Sequence, residues 1–296
     1  MAMTQVEAAK LSNDMLIRGV IETIVKDSAI LRFLPFMDVT GTSVRYTREA
    51  TMPAAAFHAV GDTWVEATPT FTSHTANLAI LGGDADVDNY LQATYADTND
   101  IEAEVIANRA KAIAHKFSES FIVGDTGVDA DSFNGIRTLA PAGQTLAAGT
   151  NGAAIDLQKL DELIDLIKPG KPEALLLSRR TRRQLKHLRR TTGPILESTV
   201  SQFGEQVETY EGIPIVVDDF MPDNEVQGTS GAVCSSVYAL KFGMSSGLMG
   251  LQHGGITVET VGELETKDAT RRRLKWYTGL ALMSELGVAR LQGITA

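Results

Sequence analysis

The stretch NDIEAEVIANRAKAIAHKFSESFIVGD, residues 99–125, decides how the rest of the chain is read. Ile106, Ala110, Ile113, Phe117 and Phe121 follow one another at steps of three or four, the spacing that stacks side chains along one face of an α-helix. Asn99 and Glu102 have the spacing of a capping box, which satisfies the free amides of a first helical turn. Gly124 then offers a C-terminal stop, because glycine accepts the left-handed backbone a helix end requires. About 25 residues at 1.5 Å each make a helix near 38 Å long. Its other face carries Glu104, Lys111, His115 and Glu119. The pattern predicts an amphipathic helix long enough to be a domain's backbone.

Upstream the character changes. Residues 36–97 read as extended, with a β-rich run at Thr42–Glu49 and a second at Phe71–Ile80. Between them lie Pro53, Ala54 to Ala56, Gly61 and Pro69, residues of a wide loop rather than a tight turn. The two runs form a long two-stranded excursion. A lone hairpin is marginally stable at best in water, so this one needs a surface to lie on, expected on a neighbouring copy. Residues 1–35 read as an arm with Leu16, Val20, Ile24, Ile30, Leu31, Phe33 and Leu34 on an amphipathic stretch that Pro35 ends.

Downstream, residues 125–153 are rich in Gly, Asp, Ala and Thr and read as loop. Residues 156–168 predict a helix with Leu160, Leu163, Ile164 and Ile167 on its apolar side. Glu173–Ser178 predicts a buried strand, and Ser178 is placed to cap a helix over Arg179–Arg190. Further strands are expected at 212–218, 237–242, 256–261, 274–277 and 288–292. The whole reads as one α+β unit with projecting arms.

Composition narrows the function classes. With 296 residues, 44% of them hydrophobic, the chain can bury a sizeable core. Its formal charge of −10 argues against a protein that coats nucleic acid through a basic face. The lone Cys234 cannot form an intramolecular disulfide and reads as a small buried residue. The N-terminus shows no signal-peptide pattern and no apolar run approaches the roughly 20 residues of a membrane span, so synthesis in the cytoplasm and no membrane partner are expected.

Candidate chemistry is sparse. Gly243-Met-Ser-Ser-Gly247 matches a G-x-S-x-G nucleophile elbow. However, the next residues do not predict a helix, and no acid lies between Ser245 and His253, the only later histidine. A Gly-rich turn between strands is the simpler reading. Asp84, Asp86 and Asp88 alternate along a strand and so share one face. Three carboxylates in a column repel one another unless cations lie opposite; a solvated face is one reading, and pairing with arginines, those of a neighbouring copy included, is the sharper one. Arg45, Arg48, Arg271, Arg272 and Arg273 are the candidates. Arg179, Arg180, Arg182, Arg183, Lys186, Arg189 and Arg190 make a dense basic helix. It has no aromatic partners for nucleic-acid reading and suits a solvated face or an acidic neighbour. The five histidines have no metal-ligand spacing, and no phosphate-binding G-x-x-x-x-G-K-S/T loop occurs. No catalytic residue, metal or cofactor is expected.

The order of elements resembles the Hong Kong 97-type fold of tailed-phage major capsid proteins. Leu34-Pro-Phe36 with Tyr46-Thr-Arg-Glu49 resembles that family's lead into an extended E-loop, and Gly82-Gly-Asp-Ala-Asp-Val-Asp88 its exit. Phe121-Ile-Val-Gly-Asp125 followed by Phe133-Asn-Gly-Ile136 resembles its spine helix and the turn after it. Tyr210 to Asp218 resembles a strand of its axial domain, and Trp276 to Gly293 its returning strands. The resemblance implies an N-terminal arm at 1–35, an E-loop at 36–88, a peripheral domain with the spine helix at 89–140, an axial domain at 141–262 and returning peripheral strands at 263–296. It implies hexamers and pentamers closed into an icosahedral shell around double-stranded DNA, in a virion assembled in a host cytoplasm. A portal and a separate scaffolding protein are implied partners, and a decoration protein is left open. Some relatives join an E-loop lysine covalently to a neighbour, but this chain has no lysine between Lys26 and Lys111, so a non-covalent shell is expected. The alternatives are an encapsulin-type compartment of the same fold and a Ser245 hydrolase.

Overall fold

The computed structural model describes residues 30–90, 101–192, 197–200, 206–229 and 231–295. The arm's Leu16, Val20 and Ile24 and the Asn99 cap lie outside these residues.

The long helix α1 runs from Ile101 to Val123, and Ile106, Ala110, Ile113, Phe117 and Phe121 are all buried along it. They pack on a four-stranded sheet. Its order is β1 (Phe36–Asp38), β12 (Leu248–Glu263), β13 (Ala269–Leu282) and β4 (Ala79–Asp88), with strands numbered along the chain. Strand side chains alternate between faces. On β4 this turns Ala85 and Val87 inward, and on β13 Leu274 and Trp276. Phe117 sits among rings, 4.8 Å from Trp276, 5.6 Å from Phe133 and 6.1 Å from Phe36 between centroids. These tilted aromatic contacts add to the burial itself.

The turn after α1 depends on two glycines in van der Waals contact. Gly124 Cα and Gly135 lie so close that the Gly135 amide donates to the Gly124 carbonyl at 2.9 Å. A Cβ on Gly135 would stand 2.5 Å from the Ser120 carbonyl oxygen. Backbone fills the space a side chain would need, so the Gly-Asp and Asn-Gly-Ile pair of motifs marks a close approach.

A second, larger sheet runs in the order β5 (Thr145–Ala147), β14 (Val288–Ile294), β11 (Ala232–Leu240), β6 (Ala174–Leu177), β9 (Ile213–Val217), β8 (Gln206–Tyr210) and β7 (Glu197–Val200), with β10 (Glu225–Gln227) attached to β11. Helix α2 (Ile136–Leu139) follows the glycine turn. Helix α3 (Leu157–Asp165) lays Leu160, Leu163 and Ile164 into this lobe's own core with Leu175, Leu177, Ile215 and Leu291. Ser178 caps helix α4 (Arg179–Thr192), its Oγ accepting from the Thr181 amide at 3.3 Å. β8 and β9 turn on Glu211 and Gly212, both at positive φ (49° and 79°), as a two-residue hairpin of the twist-matched type requires. The third sheet is the hairpin of β2 (Ser43–Thr51) and β3 (Thr70–Asn77).

The structure moves three of the expected boundaries. β1 and β4 belong to the sheet under α1, so the free excursion is the β2–β3 hairpin with its tip, not the whole of 36–88. The alternation that puts Asp84, Asp86 and Asp88 on one face turns Ala85 and Val87 into the core. β12 starts at Leu248, well before residue 263, because it pairs with β13 along most of its length. β14 leaves that sheet and pairs with β11 and β5 instead. Val288, Ala289, Leu291 and Ile294 are buried in it, the near-continuous apolar pattern of a strand covered on both faces. The segment read as loop at 125–153 contains α2 and β5, and the β7–β8 hairpin and β10 had no counterpart in the sequence reading.

Phe117→Ala should lower the unfolding free energy of the unassembled subunit by about 3–5 kcal/mol, and Gly135→Ala by about 1–3 kcal/mol through overpacking. Urea denaturation followed by circular dichroism measures both.

Candidate assembly surfaces

The hairpin divides sharply into a held root and an unsupported tip. Val44 and Tyr46 on β2 and Ala76 on β3 join a small apolar cluster with Val39, Leu251 and Ala281 of the body. Tyr46 stacks on His74 at 5.9 Å, and burial of its ring raises the phenol pKa above its ordinary value. Arg48, also facing inward, donates from Nε to the Met283 carbonyl at 3.1 Å and from Nη1 to Glu285 Oε1 at 2.8 Å. It also bonds the Leu282 carbonyl. Beyond Arg48 and His74 every residue from Glu49 to Ser73 is exposed except His58, which stacks on Trp64 at 4.4 Å. Met52, Phe57, Val60, Trp64 and Val65 are each at least 79% exposed. Large apolar and aromatic side chains left exposed on one loop make it a candidate contact site.

Two of the three aspartates of β4, Asp84 and Asp86, meet cations of the chain itself. β13 places Arg273 directly opposite Asp84 and Arg271 opposite Asp86. Asp84 receives Arg273 Nε and Nη2 at 2.6 and 2.9 Å, and Asp86 receives Arg271 at the same two distances. Lys267 adds a third bond to Asp86 at 2.8 Å. Such forked pairs fix geometry as well as charge. Both carboxyls are held below the usual range, first by hydrogen bonds from the arginines and, for Asp86, next by the one from Lys267. Asp88 stands opposite Ala269 and accepts from the Tyr90 amide at 2.9 Å. Arg272 points to the other face and meets Glu102 of α1 at 2.7 Å. Arg45 stays within the hairpin, on Ser73 Oγ at 2.8 Å. Asp84 and Asp86 are therefore answered from the adjacent strand and the turn that leads into it.

The basic helix is answered in the same way. Arg179 bonds Asp219 Oδ2 at 2.6 Å, Arg180 lies 3.4 Å from Asp223, and Arg182 and Lys186 share Glu208 at 2.8 and 2.6 Å. Glu208 is held below its ordinary pKa, chiefly by the Arg182 bond. Arg183 is exposed on the outer side; the side chains of Arg189 and Arg190 lie outside the described residues. The acidic partners come from the lobe's own β8 and the loop after β9.

The elbow motif at Gly243–Gly247 is a turn leading from β11 into strand β12, so Ser245 lacks the strand–turn–helix setting of a nucleophile. His253 Nδ1 lies 2.7 Å from the Val39 carbonyl oxygen, a structural contact. Among the described residues no cluster of His, Cys, Asp or Glu could hold a metal, and no helix is long and apolar enough to cross a membrane. Cys234 is buried and free. Sequence reasoning missed a mostly buried pair, Glu225 with Arg290 at 2.9 Å, to which Arg137 of α2 adds a second cation at 3.8 Å. It also missed the aromatic tip, for which Phe57 and Trp64 within a Pro- and Gly-containing loop were the available signal.

A model of the phage capsid family matches residues 11–287 of the chain. Among solved structures, the holo-SrpI encapsulin complex of Synechococcus elongatus PCC 7942 superposes with a TM-score of 0.73 at 18% identity, covering 100% of this chain and 97% of that one. The Microbacterium phage Oxtober96 structure gives 0.65 at 18% identity, with 90% of each chain covered. The capsid of a native GTA particle gives 0.64 at 15%, with 91% of each covered. No curated protein matches the sequence.

Because Asp84 and Asp86 have folded pKa values below their unfolded ones, their stabilisation is complete above the unfolded value of about 4 and is lost as pH falls through the lower folded values. The melting temperature of the unassembled subunit should decline below about pH 4, and Asp86→Asn should flatten that decline. Asp86→Arg alone should destabilise, and adding Arg271→Asp should recover part of the loss in a double-mutant cycle.

Proposed function

The chain belongs to the phage capsid family, and from that premise we propose how this major capsid protein closes its shell. It is a structural protein with the Hong Kong 97-type fold that assembles with copies of itself into a virion capsid. The proposal is that each hairpin tip lies across the adjacent copy, and that rotation by this head-to-tail contact builds hexamers and pentamers. The observation that carries it is the exposed tip, Met52 to Val65, on a hairpin that among the described residues is supported at its root. Burying a Val, Phe or Met side chain contributes about 1.5–3 kcal/mol. A few such side chains per subunit, repeated around a ring, make a cooperative assembly from individually modest contacts.

The shell is proposed to enclose double-stranded DNA, with a portal and a scaffolding protein as assembly partners in the host cytoplasm. A net charge of −10 suits a container that must not bind its polyanionic contents tightly. The domain division follows the sheets: arm, hairpin, peripheral unit around α1, and axial lobe around the larger sheet. The encapsulin superposition, which spans the whole chain, supports a second reading in which the same shell holds a protein cargo. Contents separate the two: extracted particles yielding long double-stranded DNA support the phage reading, and particles yielding a single co-packaged enzyme support the other.

Replacing residues 52–69 by a short turn should leave the subunit's melting temperature within a few degrees of the parent while abolishing void-volume particles on a sizing column. Assembled shells should run as a single monomer band on a denaturing gel, since the hairpin carries no lysine. A ladder of covalent multimers would refute the non-covalent shell.

A further inference from the structure

The root of the hairpin and the link between the two main sheets meet at a single side chain. β13 ends at Leu282 in the sheet under α1, and β14 begins at Val288 in the larger sheet. Residues 283–287 join them, and this link is itself tied to both bodies. The Met283 amide donates to the Gly247 carbonyl at 2.9 Å, and the Gly287 carbonyl accepts from the Lys241 amide at 2.9 Å. Arg48 reaches the link from the hairpin. Its guanidinium takes the carbonyls of Leu282 and Met283 and the carboxylate of Glu285 together. The group is 15% exposed and lies 5.5 Å from the Tyr46 ring centroid. It is the last inward residue of β2 before the exposed tip begins.

We infer that Arg48 is a positioning residue for assembly: a latch that makes the hairpin's angle and the relative setting of the two sheets one coupled variable. This rests on the assembly reading above and adds to it the element that sets curvature. The physical case is leverage. A two-stranded arm has no stiffness at its root except what the body supplies there, and the exposed run from Glu49 to Ser73 magnifies any rotation at Arg48. The planar fork of arginine holds several acceptors in one fixed plane. A small shift of the 283–287 link therefore drags the arm, and bending the arm pulls on the link. Copies in rings of different size need different arm angles, and the latch transmits that difference to the sheets.

The test uses Arg48→Ala and Arg48→Lys in the full chain, the lysine keeping charge but losing the fork. Hydrogen exchange on the unassembled subunit reads the coupling without requiring a shell. Both variants should exchange faster than the parent at Val44–Arg48 and also at Ser284–Val288, alanine more than lysine, with α1 unchanged. Electron microscopy of assembled particles then reads curvature: the parent should give one diameter, and Arg48→Ala several. Unchanged exchange at Ser284–Val288, or a single unaltered diameter, would overturn the latch. Loss of the fold in both variants would also overturn it, since Arg48 would then be a core residue. A parent chain that forms no particles at all would instead overturn the assembly reading, leaving the exchange result to judge the coupling.

Discussion

Two strands and a wide loop cannot bury one another, and the β2–β3 hairpin is made of little else. Its inward residues Val44, Tyr46 and Ala76 are covered by the body, whereas Phe57, Val60 and Trp64 are exposed. Ordering that loop costs conformational entropy, and among the described residues little burial offsets the cost. The free energy becomes favourable only when a second surface covers the tip. On the proposed reading, the remainder of the molecule presents that arm, and the arm's exposed apolar surface is what a second copy covers.

The body supplies rigidity through two cores that share strands rather than a hinge of loose chain. α1 and its sheet enclose the ring cluster around Phe117, and the larger sheet encloses the α3 side. The chain crosses between them several times: β13 to β14, β11 to β12, and α1 through the Gly124–Gly135 contact into α2. The buried Glu225–Arg290 pair, with Arg137 beside it, ties α2 to the larger sheet. Charged columns on the outer faces are closed internally, so Asp84, Asp86 and the Arg182–Lys186 side of α4 present salt-bridged, nearly neutral surfaces. That leaves the apolar tip, more than any charged patch, as the described surface with most to gain from contact.

How much of this was legible follows from the range of each interaction. The stripe from Ile106 to Phe121 is local, and so is the hairpin between Thr42 and Ile80, whose loop composition already separated tip from strands. The partners of Asp86 were not legible, because Arg271 lies 185 residues away and only the β4–β13 register brings the two together. The same holds for α4, whose acids Glu208, Asp219 and Asp223 are scattered in a segment with no charge pattern of its own. β14 was recognisable as a strand, but its sheet was not: an apolar run announces burial on both faces without naming its neighbours. Arg48 stood among the candidate contact residues, yet nothing in a β-strand sequence tells which carbonyls an arginine will reach.

The chain has two tryptophans, and their placement gives a direct probe of the central claim. Trp276 is 3% exposed within the core, while Trp64 is 79% exposed on the tip. Any change of tryptophan environment on assembly therefore reports the tip. Fluorescence of the same preparation before and after shell formation, with acrylamide as quencher, should show the emission shifting to the blue and the accessible fraction disappearing as particles form. A Trp64 that stays fully quenchable in the finished shell, or one already shielded in the lone subunit, would contradict the account.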